Sequence, residues 1–200
     1  MTRCLIALVL GCVAATGAAR ADPPNDKPAA ALYARSLAGD REAVIACIAA
    51  LEQLLTSAPD NELARVYLGS AYTLRSRDLA LGKAKLDALR KGLALMDAAA
   101  TAATGNANVQ LTRAVTNEAL PAFLGRRNVA RQQLDELVGQ VEKDPEKLSP
   151  ADRQILYLNA GKAAQRAGDK ARAAELWQRG LTISADANLT TEIKTAMDAL

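Results

Sequence analysis

The chemistry this sequence offers lies in basic and amide side chains set one helical turn apart. Arg113 pairs in this way with Asn117, and Lys162 with Arg166, with Asn159 close before them. On a helix that spacing puts both members of a pair on one face. Arg126 and Arg127 follow at a bend. Guanidinium and ammonium groups donate charge-assisted hydrogen bonds to carboxylates and other anions, among the stronger non-covalent contacts a protein makes. The candidate peptide- or anion-binding set is therefore Arg113, Asn117, Arg126, Asn159, Lys162 and Arg166. The competing reading makes the same residues solvated helix faces plus a buried Arg–Asn network that fixes how helices pack.

Catalytic chemistry has little to work with. The chain has no histidine, which removes the commonest general base and the commonest zinc ligand together. No nucleophile elbow, metal-ligand cluster or phosphate-cradling glycine loop is present. A hydrolase acting on the cell wall would need paired carboxylates, and Glu118 stands without a partner acid between Val109 and Arg127. The expectation is no enzyme, no cofactor and no metal. Met96 reads as part of an apolar stripe rather than a ligand.

The N-terminus reads as a secretory signal. Arg3 supplies the positive start, Cys4 to Val13 is an uncharged apolar run, and Ala19-Arg20-Ala21 is an A-x-A cleavage site. Residues 1–21 are then signal peptide, and residues 22–28, polar and proline-rich, a disordered leader. Val9-Leu10-Gly11-Cys12 resembles a lipobox, which would instead make Cys12 a lipidated first residue. The apolar run before it is short for that, so cleavage between Ala21 and Asp22 is expected, giving a periplasmic or secreted protein without stable membrane insertion. Without Arg3 and Arg20 the net charge falls from +3 to +1, leaving no single-sign field for nucleic acid. Only Cys47 then remains, so no internal disulfide can form. It reads as a small buried hydrophobe.

The rest of the chain must position the candidate side chains, and its patterning is helical throughout. Half the residues are apolar and 3% aromatic, with no sustained strand-like alternation. From Leu156 to Ile183, Leu156, Ala160, Ala163 and Ala167 mark one helical face, and Ala174, Trp177 and Leu181 mark a second. Gly168-Asp169 joins them as a tight antiparallel hairpin. The turn Ala167-Gly168-Asp169-Lys170 repeats an earlier one, Ala38-Gly39-Asp40-Arg41, which follows a helix over 29–37. In each, Gly supplies the left-handed residue that ends one helix and Asp caps the next. Between these turns there is room for two further hairpins, longer than the ~34 residues of an ordinary helical repeat, so their turns are expected to be longer. Ser57–Asn61, Thr104–Asn106 and Asp144-Pro145 separate the hairpins, and Ser149-Pro150 starts the last one. Leu63 to Arg75 reads as a helix interrupted at Ser76-Arg77-Asp78. Leu86, Leu89, Leu93 and Met96 read as the next buried stripe. Pro121 ends a helix at Leu120, and Asn128 is placed to cap its successor. A final helix presents Ile193, Ala196, Met197 and Leu200.

The 156–183 stretch resembles a tetratricopeptide repeat. Tyr157, Ala160-Gly161, Gly168, Ala173 and Trp177 fall at that family's offsets, with Ala185 where its closing proline would stand. Tyr67-Leu-Gly-Ser-Ala-Tyr72, Lys91 to Asp97 and Leu120 to Arg127 are similar to poorly characterised bacterial envelope proteins with tetratricopeptide-like hairpins. The resemblance implies an all-α, right-handed α-solenoid of about four antiparallel hairpins over 29–186, closed by a capping helix over 187–200. It also implies a concave groove on the first helix of each hairpin, where Lys162 and Arg166 would lie with Arg113 and Asn117 one unit earlier. Trp177 should wedge between adjacent hairpins. The function read from this is a non-enzymatic periplasmic scaffold holding a protein or peptide of the cell envelope in that groove. The alternative is a binder of small anions or a transport accessory, with Arg113 and Arg126 as anion ligands, carried as an outer-membrane lipoprotein if Cys12 is lipidated. N-terminal sequencing of native protein should find Asp22 first; a lipid-modified Cys12 would reverse the assignment.

Overall fold

Short polar residues fix where the helices start. Asp40 accepts the Ala43 amide at 2.9 Å, Asn61 that of Ala64 at 2.9 Å, and Asp169 that of Arg172 at 2.9 Å. Asn106, Ser149 and Asp186 do the same for their own helices. Each cap satisfies an amide the helix cannot bond internally and contributes ~1 kcal/mol. The computed structural model describes residues 27–200. They form helices α1 (Lys27–Leu37), α2 (Arg41–Ser57), α3 (Glu62–Asp78), α4 (Lys83–Ala102), α5 (Ala107–Ala119), α6 (Arg127–Lys143), α7 (Pro150–Arg166), α8 (Lys170–Leu181) and α9 (Ala187–Asp198), and no strand. The expected signal peptide, Cys12 and the leader up to residue 26 lie outside the described residues. Helix α1 starts at Lys27, two residues before the expected start at Ala29.

Four hairpins, α1/α2, α3/α4, α5/α6 and α7/α8, stack in order. The first helices α1, α3, α5 and α7 touch in succession, and each second helix packs on the next first helix. This is an all-α solenoid. Helix α9 closes its end against α7 and α8. Ile193 is fully buried there. Gln154 on α7 donates to Thr190 at 3.1 Å and accepts the Asp186 amide at 2.9 Å, so its buried amide is satisfied by the cap it anchors.

The two Ala-Gly-Asp turns have one geometry. Gly39 and Gly168 take φ of 98° and 85°. The Gly39 amide bonds the Ser36 carbonyl and the Asp40 amide that of Arg35; Gly168 and Asp169 bond Gln165 and Ala164 in the same way. That pair of bonds is the Schellman arrangement. The Asp therefore closes one helix with its backbone and opens the next with its side chain.

Several local expectations are corrected. Helix α3 runs on through Ser76-Arg77-Asp78, because Ser76 bonds the Thr73 carbonyl within the helix at 2.7 Å. The break falls at Leu79–Gly82, so the extra length of this hairpin sits in its two long helices rather than in its turn. On α4 the buried stripe is Gly92, Met96, Ala99 and Ala100. Leu86 is 44% exposed, because the close contact with α3 falls at Gly92 and Met96. Asn128 lies inside α6, whose N-cap position is Arg126 without a side-chain bond. Trp177 is fully buried in a core shared by α5 to α9, and it also packs against the first helix of its own hairpin. Its indole covers Gly161 of α7 and donates to the Leu158 carbonyl at 3.0 Å.

Gly39→Val and Gly168→Val should each destabilise by ~1 kcal/mol or more, since a β-branched residue resists positive φ. A Cβ at either site meets nothing within 4 Å, so any loss is conformational, and Gly→Asn should lose less. Chemical denaturation of the variants measures this; unchanged stability at both sites would contradict the turn assignment.

Candidate interaction groove

The first helices enclose a groove of about 550 Å³. Tyr33 of α1, Tyr67 and Ser70 of α3, Thr112 and Thr116 of α5, and Ile155 of α7 lie along it. The Tyr33 and Tyr67 rings meet edge to face with centroids 4.8 Å apart, the arrangement their quadrupoles favour. Tyr33 shares a 2.7 Å hydrogen bond with Ser70, and Ser70 one of 2.9 Å with Thr116. Three helices are thereby tied by a hydroxyl chain across the groove floor. Burial pushes the Tyr33 and Tyr67 phenols above their usual range, so both stay neutral donors at any physiological pH.

The lining charges stand at the ends of these helices. Arg77 and Lys85 belong to the end of α3 and the start of α4, and Asp152 to the start of α7. Lys85 donates to the Leu79 carbonyl at 3.1 Å, and Asp152 accepts from the Ser149 hydroxyl at 2.6 Å. Two large apolar side chains remain open to solvent at the groove: Leu37 is 56% exposed and Phe123 86%. The groove therefore offers apolar surface with few unpaired polar groups.

None of the six candidate residues lines this groove. Arg113 and Arg126 do come together, but on a carboxylate. Arg113 Nε lies 2.8 Å and Arg126 Nη1 2.9 Å from the Asp97 side chain of α4. Asn159 bonds the Ile155 carbonyl of its own helix at 2.8 Å. Lys162 reaches Glu192 of the capping helix at 2.5 Å. Arg166 pairs with the buried Glu118 of α5. Asn117 is fully buried, and neither of its side-chain polar atoms is bonded. So the expected Arg–Asn network does not form: Arg113 turns to Asp97 because that acid lies across the α4/α5 contact. Lys162 and Arg166 share a helix but point to different acids.

Sequence reasoning missed Tyr33, Ser70, Thr112, Thr116 and Phe123. A signal was present. Tyr67, Ser70 and Leu74 on α3 recur at helical spacing, as do Thr112, Val115, Thr116 and Ala119 on α5, and these semi-polar faces line the groove.

The crystal structure of TTC0263, a thermophilic TPR protein of Thermus thermophilus, superposes with a TM-score of 0.60. The match covers 86% of this chain and 83% of that one at 18% identity. The fold is tetratricopeptide-like. A scan against protein-family models and a search of curated proteins found no match.

Within this tetratricopeptide-like array Asn117 is a buried polar group that stabilises nothing visible. An unsatisfied buried amide costs roughly 1–3 kcal/mol; leucine has the same branched outline but more volume, so crowding offsets part of what its removal gains. Asn117→Leu should therefore be neutral or raise stability by ~1 kcal/mol in thermal denaturation. A large loss in both Asn117→Leu and the smaller Asn117→Ala would show that the amide has a bonding role.

Proposed function

We propose that this protein is a non-enzymatic scaffold of the bacterial periplasm that holds an apolar segment of an envelope protein or peptide in its concave groove. The observation that carries the reading is the groove itself: an apolar channel across the first helices with Leu37 and Phe123 unburied beside it. Exposed apolar groups of this kind mark interaction surfaces when they border a cavity. The hydroxyls on the floor are already bonded to one another, so a partner would contribute apolar side chains rather than a hydrogen-bonding code. The stacked hairpins supply the extended concave surface on which repeat arrays hold partners. The tetratricopeptide-like fold suggests such an interaction role, and the periplasmic assignment is supported by Arg3, the Cys4–Val13 run and Ala19-Arg20-Ala21. Among the described residues no helix is long and apolar enough to cross a membrane.

The alternative, an anion held by Arg113 and Arg126, is disfavoured because the Asp97 carboxylate already accepts from both. The groove reading is tested by Leu37→Ser with Phe123→Ser, followed by partner capture from envelope extract. Both side chains are more than half exposed, so the melting temperature should stay within a few degrees while capture falls about ten-fold or more, since losing two apolar contacts removes roughly 1–3 kcal/mol in total. Undiminished capture by the double variant would sink the reading.

A further inference from the structure

A second cavity, of about 360 Å³, lies between the third and fourth hairpins. It shares no lining residue with the groove. Its charged walls are Glu118 near the end of α5, Arg127 and Arg131 on α6, and Arg166 at the end of α7. Glu118 is 3% exposed and paired with Arg166, so those two charges cancel and Arg166 is held in place. Arg127 uses its Nε on the Leu120 carbonyl at 2.9 Å, which fixes the side chain while its terminal nitrogens stay open. Among the described residues neither Arg127 nor Arg131 has a carboxylate partner. The cleft therefore carries an excess of two positive charges.

The backbone adds to this. Gly125 and Asn128 line the same cavity, so the first turn of α6 forms part of its wall. That turn has no side-chain cap and no acidic residue. Its open amides carry partial positive charge. Apart from the already paired Glu118, every charged side chain that lines the cleft is an arginine, set among Ala122, Ala163 and Ala167.

We propose that this cleft binds a dianionic oxyanion of the phosphate class, either as free phosphate or as the phosphate of a monoester. A single carboxylate would compensate one of the two unpaired guanidiniums and leave the other facing it. A phosphate carries a charge of about −1.5 to −2 at neutral pH and at least three acceptor oxygens, which matches two planar guanidinium forks beside a helix start. The site is independent of the groove reading: it stands on Arg127, Arg131, Arg166 and the start of α6.

The test uses the purified chain at constant ionic strength. Sodium phosphate, glycerol 3-phosphate, sodium acetate and sodium chloride are titrated separately, reading the backbone amide resonances of Gly125 to Ala130. Saturable shifts with phosphate or glycerol 3-phosphate, and not with acetate or chloride, are expected. Arg131 is exposed and unpaired, so Arg131→Gln should keep the melting temperature in phosphate-free buffer while weakening binding about ten-fold. A response to both phosphate compounds shows that the free ion suffices; a response to the monoester alone assigns the site to a phosphorylated ligand. The Leu37→Ser, Phe123→Ser variant should keep the phosphate response, which separates this site from the groove. Equal responses to acetate or chloride, no saturable shift with either phosphate compound, or wild-type affinity in Arg131→Gln, overturns the proposal.

Discussion

Helix α3 can lie against α4 only because neither carries a side chain where they cross. A Cβ on Gly69 would come within 2.7 Å of the Gly92 carbonyl, and one on Gly92 within 2.6 Å of the Gly69 carbonyl. Both obstacles are backbone, so no rotamer change relieves them, and the helices would have to separate. Overpacking at such a crossing costs roughly 1–3 kcal/mol or more. The groove depends on this contact, because α3 stands between α1 and α5 and carries Tyr67 and Ser70. The fourth hairpin meets the same constraint in another way: Gly161 leaves the space that the Trp177 indole fills. Gly180 likewise makes room for Ile193 of the cap. A chain with one Trp and one Phe builds its array on small residues, and its one Phe is spent on the surface.

Several ion pairs tie elements that are separate in sequence. Asp97 gathers Arg113 of α5 and Arg126 at the start of α6 onto α4. Glu118 joins α5 to α7, Glu192 joins α9 to α7, and Glu142 joins α6 to α8 through Arg179. The more exposed of these, Lys162–Glu192 and Arg179–Glu142, are worth under ~1 kcal/mol each. Their consequence is register: each one lowers the energy of a single stacking of neighbouring hairpins. The pair on Glu118 differs, because one partner is buried and would be left as an uncompensated charge if Arg166 were lost.

This explains what could be read from the chain and what could not. Caps and turns are local, so Asp40, Asp169, Ser149 and the extended Leu120 before Pro121 all stand as their neighbours dictate. The repeated Ala-Gly-Asp turn carried the architecture for the same reason. The direction in which a helical face points is not local. Lys162 and Arg166 look like a donor pair until α9 and α5 bring Glu192 and Glu118 to them from distant parts of the chain. Leu86 looks like core until the α3/α4 crossing is known to fall at Gly92. The groove residues were hidden because hydroxyls and alanines on a first helix give a weaker pattern than leucines do. Their role appears only when α1, α3, α5 and α7 are laid side by side.

The bend between α5 and α6 joins the two cavities physically. Pro121, Phe123 and Leu124 face the groove, while Ala122 and Gly125 face the arginine cleft. The bend is held at both ends. Leu120 is extended before Pro121, and Gly125 takes a left-handed φ of 69°. Arg127 then closes it by donating back to the Leu120 carbonyl. The guanidinium that forms one wall of the cleft thus also fastens Leu120, at the start of the bend that displays the groove's exposed Phe123. An anion drawing on Arg127 from the cleft and a partner resting on Phe123 from the groove would act on the same short segment. With both ends of that segment fixed, the two sites have a common mechanical support even though they share no side chain.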